Sequence, residues 1–173
     1  RNSNSTGNAD LTYQFGTPGA GLLPIAGDWN GDGVDTVGLY VATGGTFFLR
    51  NSNSTGGADL QFLYGGSNPL NTPVSGDWNG DGVDTIGVYY LGGSDPGGFA
   101  LRNTNSAGGN DESYDFGGGG AALRPIVGDW NGDSITGPGL HDPWAAVWFQ
   151  SDIHGAAPPE NVVGYGPAGE TPL

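Results

Sequence analysis

Short apolar runs punctuated by glycine recur along the chain, four to a group. The first run of each group covers Leu23–Trp29, Pro73–Trp78 and Pro125–Trp130, and the second covers Thr36–Val41 and Thr85–Leu91. The third covers Thr46–Asn51, Gly98–Asn103 and Ala145–Gln150. The fourth covers Asp59–Tyr64, Asp111–Phe116 and Asn161–Tyr165, where apolar and polar residues alternate as in a half-buried antiparallel strand. Runs this short, bounded by Gly, predict strands, and none is long enough for a membrane-spanning helix. The expectation is an all-β chain.

The group repeats. From Asp28 to Asp77 is 49 residues and from Asp77 to Asp129 is 52. A second landmark, Arg-Asn-Ser/Thr-Asn-Ser, begins at Arg1, Arg50 and Arg102 and gives the same two intervals. Periods of roughly 40–50 residues holding several short strands indicate propeller blades or related arrays. The expected architecture is a propeller-type array of four-stranded antiparallel blades, about three and a half repeats long. Residues 1–22 form a half blade (third and fourth strands), 23–72 repeat one, 73–124 repeat two, and 125–173 a degenerate third repeat. Pro172-Leu173 falls where Pro24-Ile25, Pro73-Val74 and Pro125-Ile126 open a first strand. Propellers need roughly four blades to close, and open blades expose sheet edges and apolar faces. The chain is therefore expected either to belong to a longer array or to be completed head to tail by neighbouring copies in a filament.

Between the first and second runs stands Gly-Asp-Trp-Asn-Gly-Asp-Gly-Val-Asp-Thr, at 27–36 and again at 76–85, with Gly-Asp-Trp-Asn-Gly-Asp-Ser-Ile-Thr-Gly at 128–137. Asp28, Asn30 and Asp32 alternate with residues that cannot ligate through their side chains, Gly33 permits a sharp turn, and Asp35 follows. Oxygen-bearing side chains at every second position of a tight loop suit a hard cation with several oxygen ligands, above all calcium. Asp77, Asn79, Asp81 and Asp84 repeat the pattern, and Asp129, Asn131 and Asp133 keep its first half, with Ser134 and Thr136 replacing a Gly and an Asp. Two calcium sites are expected, with the third loop a weaker candidate. The same residues also build good turns without metal.

Charge sharpens this picture. The chain carries 18 Asp+Glu against 4 Lys+Arg, all four of them Arg, for a net charge of −14. A nucleic acid or an anionic membrane is excluded as a partner on electrostatic grounds. Eight of the acids lie in the three loops, so bound dications would relieve much of the self-repulsion. With no Cys there are no disulfides; a metal can serve as the staple of an extracellular or cell-surface protein instead. Glycine contributes 36 residues without a Gly-X-Y register, and 5 Trp, 7 Tyr and 7 Phe supply a core, so neither collagen nor disorder fits.

In these features the chain resembles the FG-GAP/VCBS repeats, the integrin-α type of propeller blade. The likeness rests on Gly-Asp-Trp-Asn-Gly-Asp-Gly followed by an apolar strand containing Gly38 or Gly87. It implies calcium bound through side chains at the first, third, fifth and ninth loop positions and a carbonyl at the seventh. Those positions are Asp28, Asn30, Asp32, Thr36 and Val34, then Asp77, Asn79, Asp81, Thr85 and Val83. The chain departs from that pattern by placing its acid eighth, at Asp35 and Asp84, with Thr ninth. Members of the family serve in adhesion receptors, bacterial surface proteins, sugar-binding propellers and non-catalytic appendages of secreted enzymes; fold alone does not choose among them.

No nucleophile–base set accompanies these loops. The two histidines, His141 and His154, lie in the degenerate repeat, and His141 aligns with Tyr40 and Tyr89 as a strand residue. Trp29, Trp78 and Trp130 stand between ligands, either as sugar-stacking platforms or as plugs between blades; repetition at one position favours plugs. Trp144 and Trp148 break the repeat and are candidates for an exposed ligand contact. Arg1, Arg50 and Arg102 are expected to pair with carboxylates. Asn4 and Asn53, each in an Asn-Ser-Thr triplet, match the glycosylation acceptor pattern. The expected role is non-enzymatic: a calcium-stabilised structural or adhesive module, self-associating or continued by further repeats. The alternatives are a glycan-binding, lectin-like propeller or an enzyme appendage.

Overall fold

A computed structural model describes residues 6–19, 21–91, 97–117 and 123–165. The chain is all-β, and the described residues form twelve strands in three four-stranded antiparallel sheets, each an up-and-down meander. The first sheet holds β1 (Leu23–Gly27), β2 (Thr36–Val41), β3 (Thr46–Leu49) and β4 (Leu60–Leu63). The second holds β5 (Thr72–Gly76), β6 (Thr85–Tyr90), β7 (Gly98–Leu101) and β8 (Glu112–Asp115). The third holds β9 (Arg124–Gly128), β10 (Gly137–Asp142), β11 (Val147–Gln150) and β12 (Asn161–Gly164). Among the described residues no helix is long and apolar enough to cross a membrane.

Register is equivalent in the three sheets. Gly27 pairs with Thr36, Gly76 with Thr85 and Gly128 with Gly137, so each ten-residue loop caps the hairpin between first and second strands. Gly38, Gly87 and Gly139 sit mid-strand because there is no room for a side chain. A Cβ at Gly38 would lie 2.8 Å from both Ile25 and Leu49.

Sheets pack face to face in chain order, β1 against β5 and β5 against β9. Between the first two, Trp29, Tyr40, Phe47 and Leu49 meet Ile86, Val88 and Ala100. Between the second and third, Val74, Trp78, Tyr89, Phe99 and Leu101 meet Leu140. The middle sheet is covered on both faces, and β7 is buried throughout. The fourth strands β4 and β8 show the expected half-buried alternation, but β12 is exposed along its length. Tyr165 is 77% exposed, whereas Tyr64 and Phe116, which hold the same place after β4 and β8, are 4% and 3% exposed. A following sheet covers the latter two.

Several expectations need correction. First strands end at Gly27, Gly76 and Gly128 rather than at the tryptophans, because the next aspartate turns its carboxylate onto loop amides. The third strand of the last group begins at Val147, since 143–146 is a turn. Ser151, not Gln150, therefore stands where Arg50 and Arg102 do: their amides donate to Pro138, Val37 and Ile86, respectively. Residues 6–15 form no strand. They attach through side chains, the Tyr13 hydroxyl donating to Asn53 Oδ1 (2.9 Å) and the Gln14 amide to Thr55 Oγ1 (3.1 Å). Arg1, Asn4 and Pro172-Leu173 lie outside the described residues.

Candidate metal centre

Each loop is organised by its first aspartate. Asp28 Oδ1 accepts the amides of Gly31 (2.8 Å) and Asp32 (3.0 Å), and Oδ2 accepts that of Gly33 (2.6 Å). Asp77 repeats this with Gly80, Asp81 and Gly82. Asp129 does so with Gly132, Asp133 and Ser134. Burial, the largest single effect on Asp28, pushes its carboxyl up, but the surrounding amides together outweigh it and hold the group below the usual carboxylate range. Asp129 is held low chiefly by the Ser134 amide.

The third and fifth side chains bond to the loop backbone and to each other. Asn30 Oδ1 accepts from the Asp32 amide (3.3 Å), Asp32 Oδ1 accepts from the Val34 amide (2.9 Å), and Asn30 Nδ2 donates to Asp32 Oδ2 (3.0 Å). The Asn79–Asp81 and Asn131–Asp133 pairs make the corresponding amide-to-carboxylate bond at 3.0 and 2.9 Å. In each loop an amide N–H thus takes the place beside the carboxylate where a cation would supply positive charge. Hard oxygens of the kind calcium takes are present at Asp28, Asn30 and Asp32, and the Val34 carbonyl is the further donor that the resemblance implies. The group fits the residues. Each loop contributes two carboxylates, however, and among the described residues no three acidic or histidine side chains converge.

The eighth and ninth positions leave this centre. Asp84 Oδ2 accepts the amide of Asp28 in the preceding loop (2.8 Å), and the Asp84 amide donates back to the Asp28 carbonyl (2.9 Å). Burial, the dominant effect, raises the Asp84 carboxyl above its usual range, and Asp35, Asp28 and Asp77 add repulsion. Three acids clustered within one loop is therefore not what forms; Asp84 brackets two loops. Thr136 takes the same place at the next junction, its hydroxyl accepting from the Asp77 amide (3.1 Å) while its own amide donates to the Asp77 carbonyl (2.7 Å). The hydroxyls of Thr36 and Thr85 are buried and reach back 3.4 Å to the carbonyls of Gly27 and Gly76 across the hairpin base. Asp35 is exposed, and its carbonyl accepts from Asn53 Nδ2 (2.9 Å).

The third loop is less damaged than its sequence suggests. Ser134 adopts φ 74°, close to the 84° of Gly33 and Gly82, so its backbone follows the same path in a region an L-residue seldom enters.

A second set of side chains fastens the loops from outside. Asn53 donates to the Asp35 carbonyl, Asn105 to that of Asp84 (2.9 Å), and His154 Nε2 to that of Thr136 (2.8 Å). His154 Nδ1 lies 2.7 Å from Glu112 Oε2 on β8, with the Tyr114 ring stacked at 6.0 Å and Trp78 edge-on at 6.4 Å. His154 is therefore the counterpart of Asn53 and Asn105. The signal for this was in the sequence: Asn51 and Asp59, Asn103 and Asp111, and Asp152 and Glu160 are each eight apart, and each acid accepts the amide of its partner. Asn53 also accepts from Tyr13, so its amide is engaged at both ends. That arrangement disfavours a glycan on it.

The arginines clamp loops rather than acids. Arg50 donates to the carbonyls of Ser54 and Gly57, and Arg102 to those of Ser106 and Gly109. Among the described residues only Arg102 also approaches a carboxylate, Asp111 at 3.9 Å. Trp29 and Trp78 are buried in the inter-sheet cores, as plugs are. Trp148 does not break the repeat: it is half-buried and packs on buried His141 at 4.5 Å, as Phe47 packs on Tyr40 and Phe99 on Tyr89. Trp144, in the turn after β10, is 75% exposed. No protein-family model matches this chain, and no curated protein or solved structure matches it, so a functional reading rests on the sheets and loops themselves.

Proposed function

We propose that the chain is a calcium-stapled, propeller-type array of FG-GAP/VCBS-like blades with a structural or adhesive role outside the cell, self-associating or continued by further repeats. The observation that carries this reading is the threefold recurrence of one loop whose first side chain caps the loop's own amides and whose third and fifth side chains bond to each other. The side chains of Asp28, Asn30 and Asp32, and their counterparts in the other two loops, would hold the ion; calcium would supply the positive charge that the Asn amide otherwise lends. The face-to-face order of β1, β5 and β9 supports a propeller-type arrangement. The exposed face around Tyr165, buried at the two earlier equivalent places, supports continuation or association there.

The test is a thermal melt with and without calcium. At a hundredfold excess over its Kd, each bound ion adds ~2.7 kcal/mol. Calcium should raise Tm and chelator should reverse the rise, with magnesium ineffective. A melt that is indifferent to calcium rejects the metal reading. Light scattering in calcium tests assembly separately.

A further inference from the structure

The three places where successive units meet share one design and differ in one respect. At each, an aromatic residue and a glycine with positive φ (Phe15-Gly16, Tyr64-Gly65, Phe116-Gly117) face the residue before the next first strand and an aliphatic side chain of the next second strand. At the outer two places the residue before the first strand is Leu22 or Leu123, and the cavity wall is largely apolar. At the middle one it is Asn71, and Tyr64 replaces phenylalanine.

These polar replacements are not satisfied within the protein. Asn71 is 3% exposed; its Nδ2 donates to the Gly65 carbonyl (2.7 Å), but Oδ1 is buried without a partner. The Tyr64 hydroxyl is likewise buried and unpartnered. An unpaired buried polar group destabilises a fold by ~1–3 kcal/mol, and leucine and phenylalanine in equivalent surroundings show that the fold does not require these polar atoms. Both residues line a cavity of about 410 Å³, which falls within the ~300–1,000 Å³ range of small-molecule sites. Asn68 and Asn110 add amide groups to its wall, Tyr90, whose hydroxyl donates to Asp115 (3.2 Å), adds a ring, and no lining side chain carries a formal charge.

We infer that the cavity between the first and second sheets is a binding site for a neutral polyhydroxyl ligand of monosaccharide size, held by Asn71 and Tyr64. Amides and phenols exchange hydrogen bonds with hydroxyl groups, aromatic rings pack against the apolar face of a sugar, and the uncharged wall gives no preference for an ionic ligand.

Titration calorimetry with glucose, galactose, mannose and N-acetylglucosamine, in calcium-containing buffer, tests the inference. Saturable binding of at least one sugar is expected. Asn71→Leu and Tyr64→Phe install the residues found at the neighbouring places, so each should fold with unchanged or raised Tm and bind about tenfold more weakly. If Asn71→Leu does not fold, Tyr64→Phe decides. Absence of saturable binding, or unchanged affinity in every variant that folds, overturns the site. The calcium reading is judged by the melt and stands or falls apart from these titrations.

Discussion

The Asp84 carboxylate accepts the backbone N–H of Asp28 at 2.8 Å, across the boundary between two repeats and 56 positions along the chain. The bond turns a residue expected in its own metal loop into a tie between neighbouring loops. Asp84→Ala would leave a buried amide without an acceptor and should lower stability by ~1–3 kcal/mol. Asp84→Asn keeps an acceptor and removes a charge repelled by Asp35, Asp28 and Asp77. It should equal or exceed the parent in chemical denaturation at neutral pH; a loss as large as the alanine variant's would show that the charge itself matters.

The pH profile of the calcium-free protein follows from two opposite shifts. Asp28 and Asp129 are depressed, so their contribution is present above the unfolded carboxyl value of about 3.9 and is lost as pH falls through their folded values. Asp84 is raised, as is Asp152, so ionisation of either destabilises the fold as pH climbs from the unfolded value through the folded one. Melts in chelator should therefore show Tm rising on mild acidification and falling below about pH 4. Asp84→Asn should flatten the first limb and leave the second.

Ser134 holds a left-handed backbone at φ 74°. Ser134→Gly should relieve that conformation and raise stability by ~1 kcal/mol. Calorimetric titration of the same variant should show tighter calcium binding at the third loop, since the turn no longer resists closing.

His154 joins Thr136 and Glu112 across the second and third sheets. His154→Ala removes both bonds and a ring stacked on Tyr114, and should selectively loosen the third sheet, visible as faster amide exchange in β9–β12. His154→Asn restores the donor that Asn53 and Asn105 provide and should recover part of the protection. Uniform loosening of all three sheets by the alanine variant would contradict a local tie.

Much of this was legible in the sequence. The second strands of the first two groups fall within a residue of their expected ends, because the glycine-rich loop ending in Val-Asp stops just before each. That the side chains at loop positions one, three and five fold back onto the loop was readable from their alternation in a tight turn. What was not legible is long-range. Nothing adjacent to Asp84 announces that its partner is the Asp28 amide, and the loss of Arg at Ser151 removed the landmark that aligns His154 with Asn53. Trp148 looked anomalous for the same reason; paired with His141 as Phe47 is with Tyr40, it is the ring that Phe47 and Phe99 supply elsewhere. The arginine expectation holds at Arg102, which reaches Asp111, but not at Arg50, where turn carbonyls lie nearer to the guanidinium than the acids do.

Thr136 standing in for Asp84, and His154 for Asn105, show two couplings rewritten in different chemistry without a change of geometry. What each coupling demands is only a donor and an acceptor set opposite one another. Units joined on such terms can drift in sequence independently, and one of them could be copied in tandem without redesign of its neighbours. Number of units then becomes a quantity that recombination can adjust while every joint keeps working.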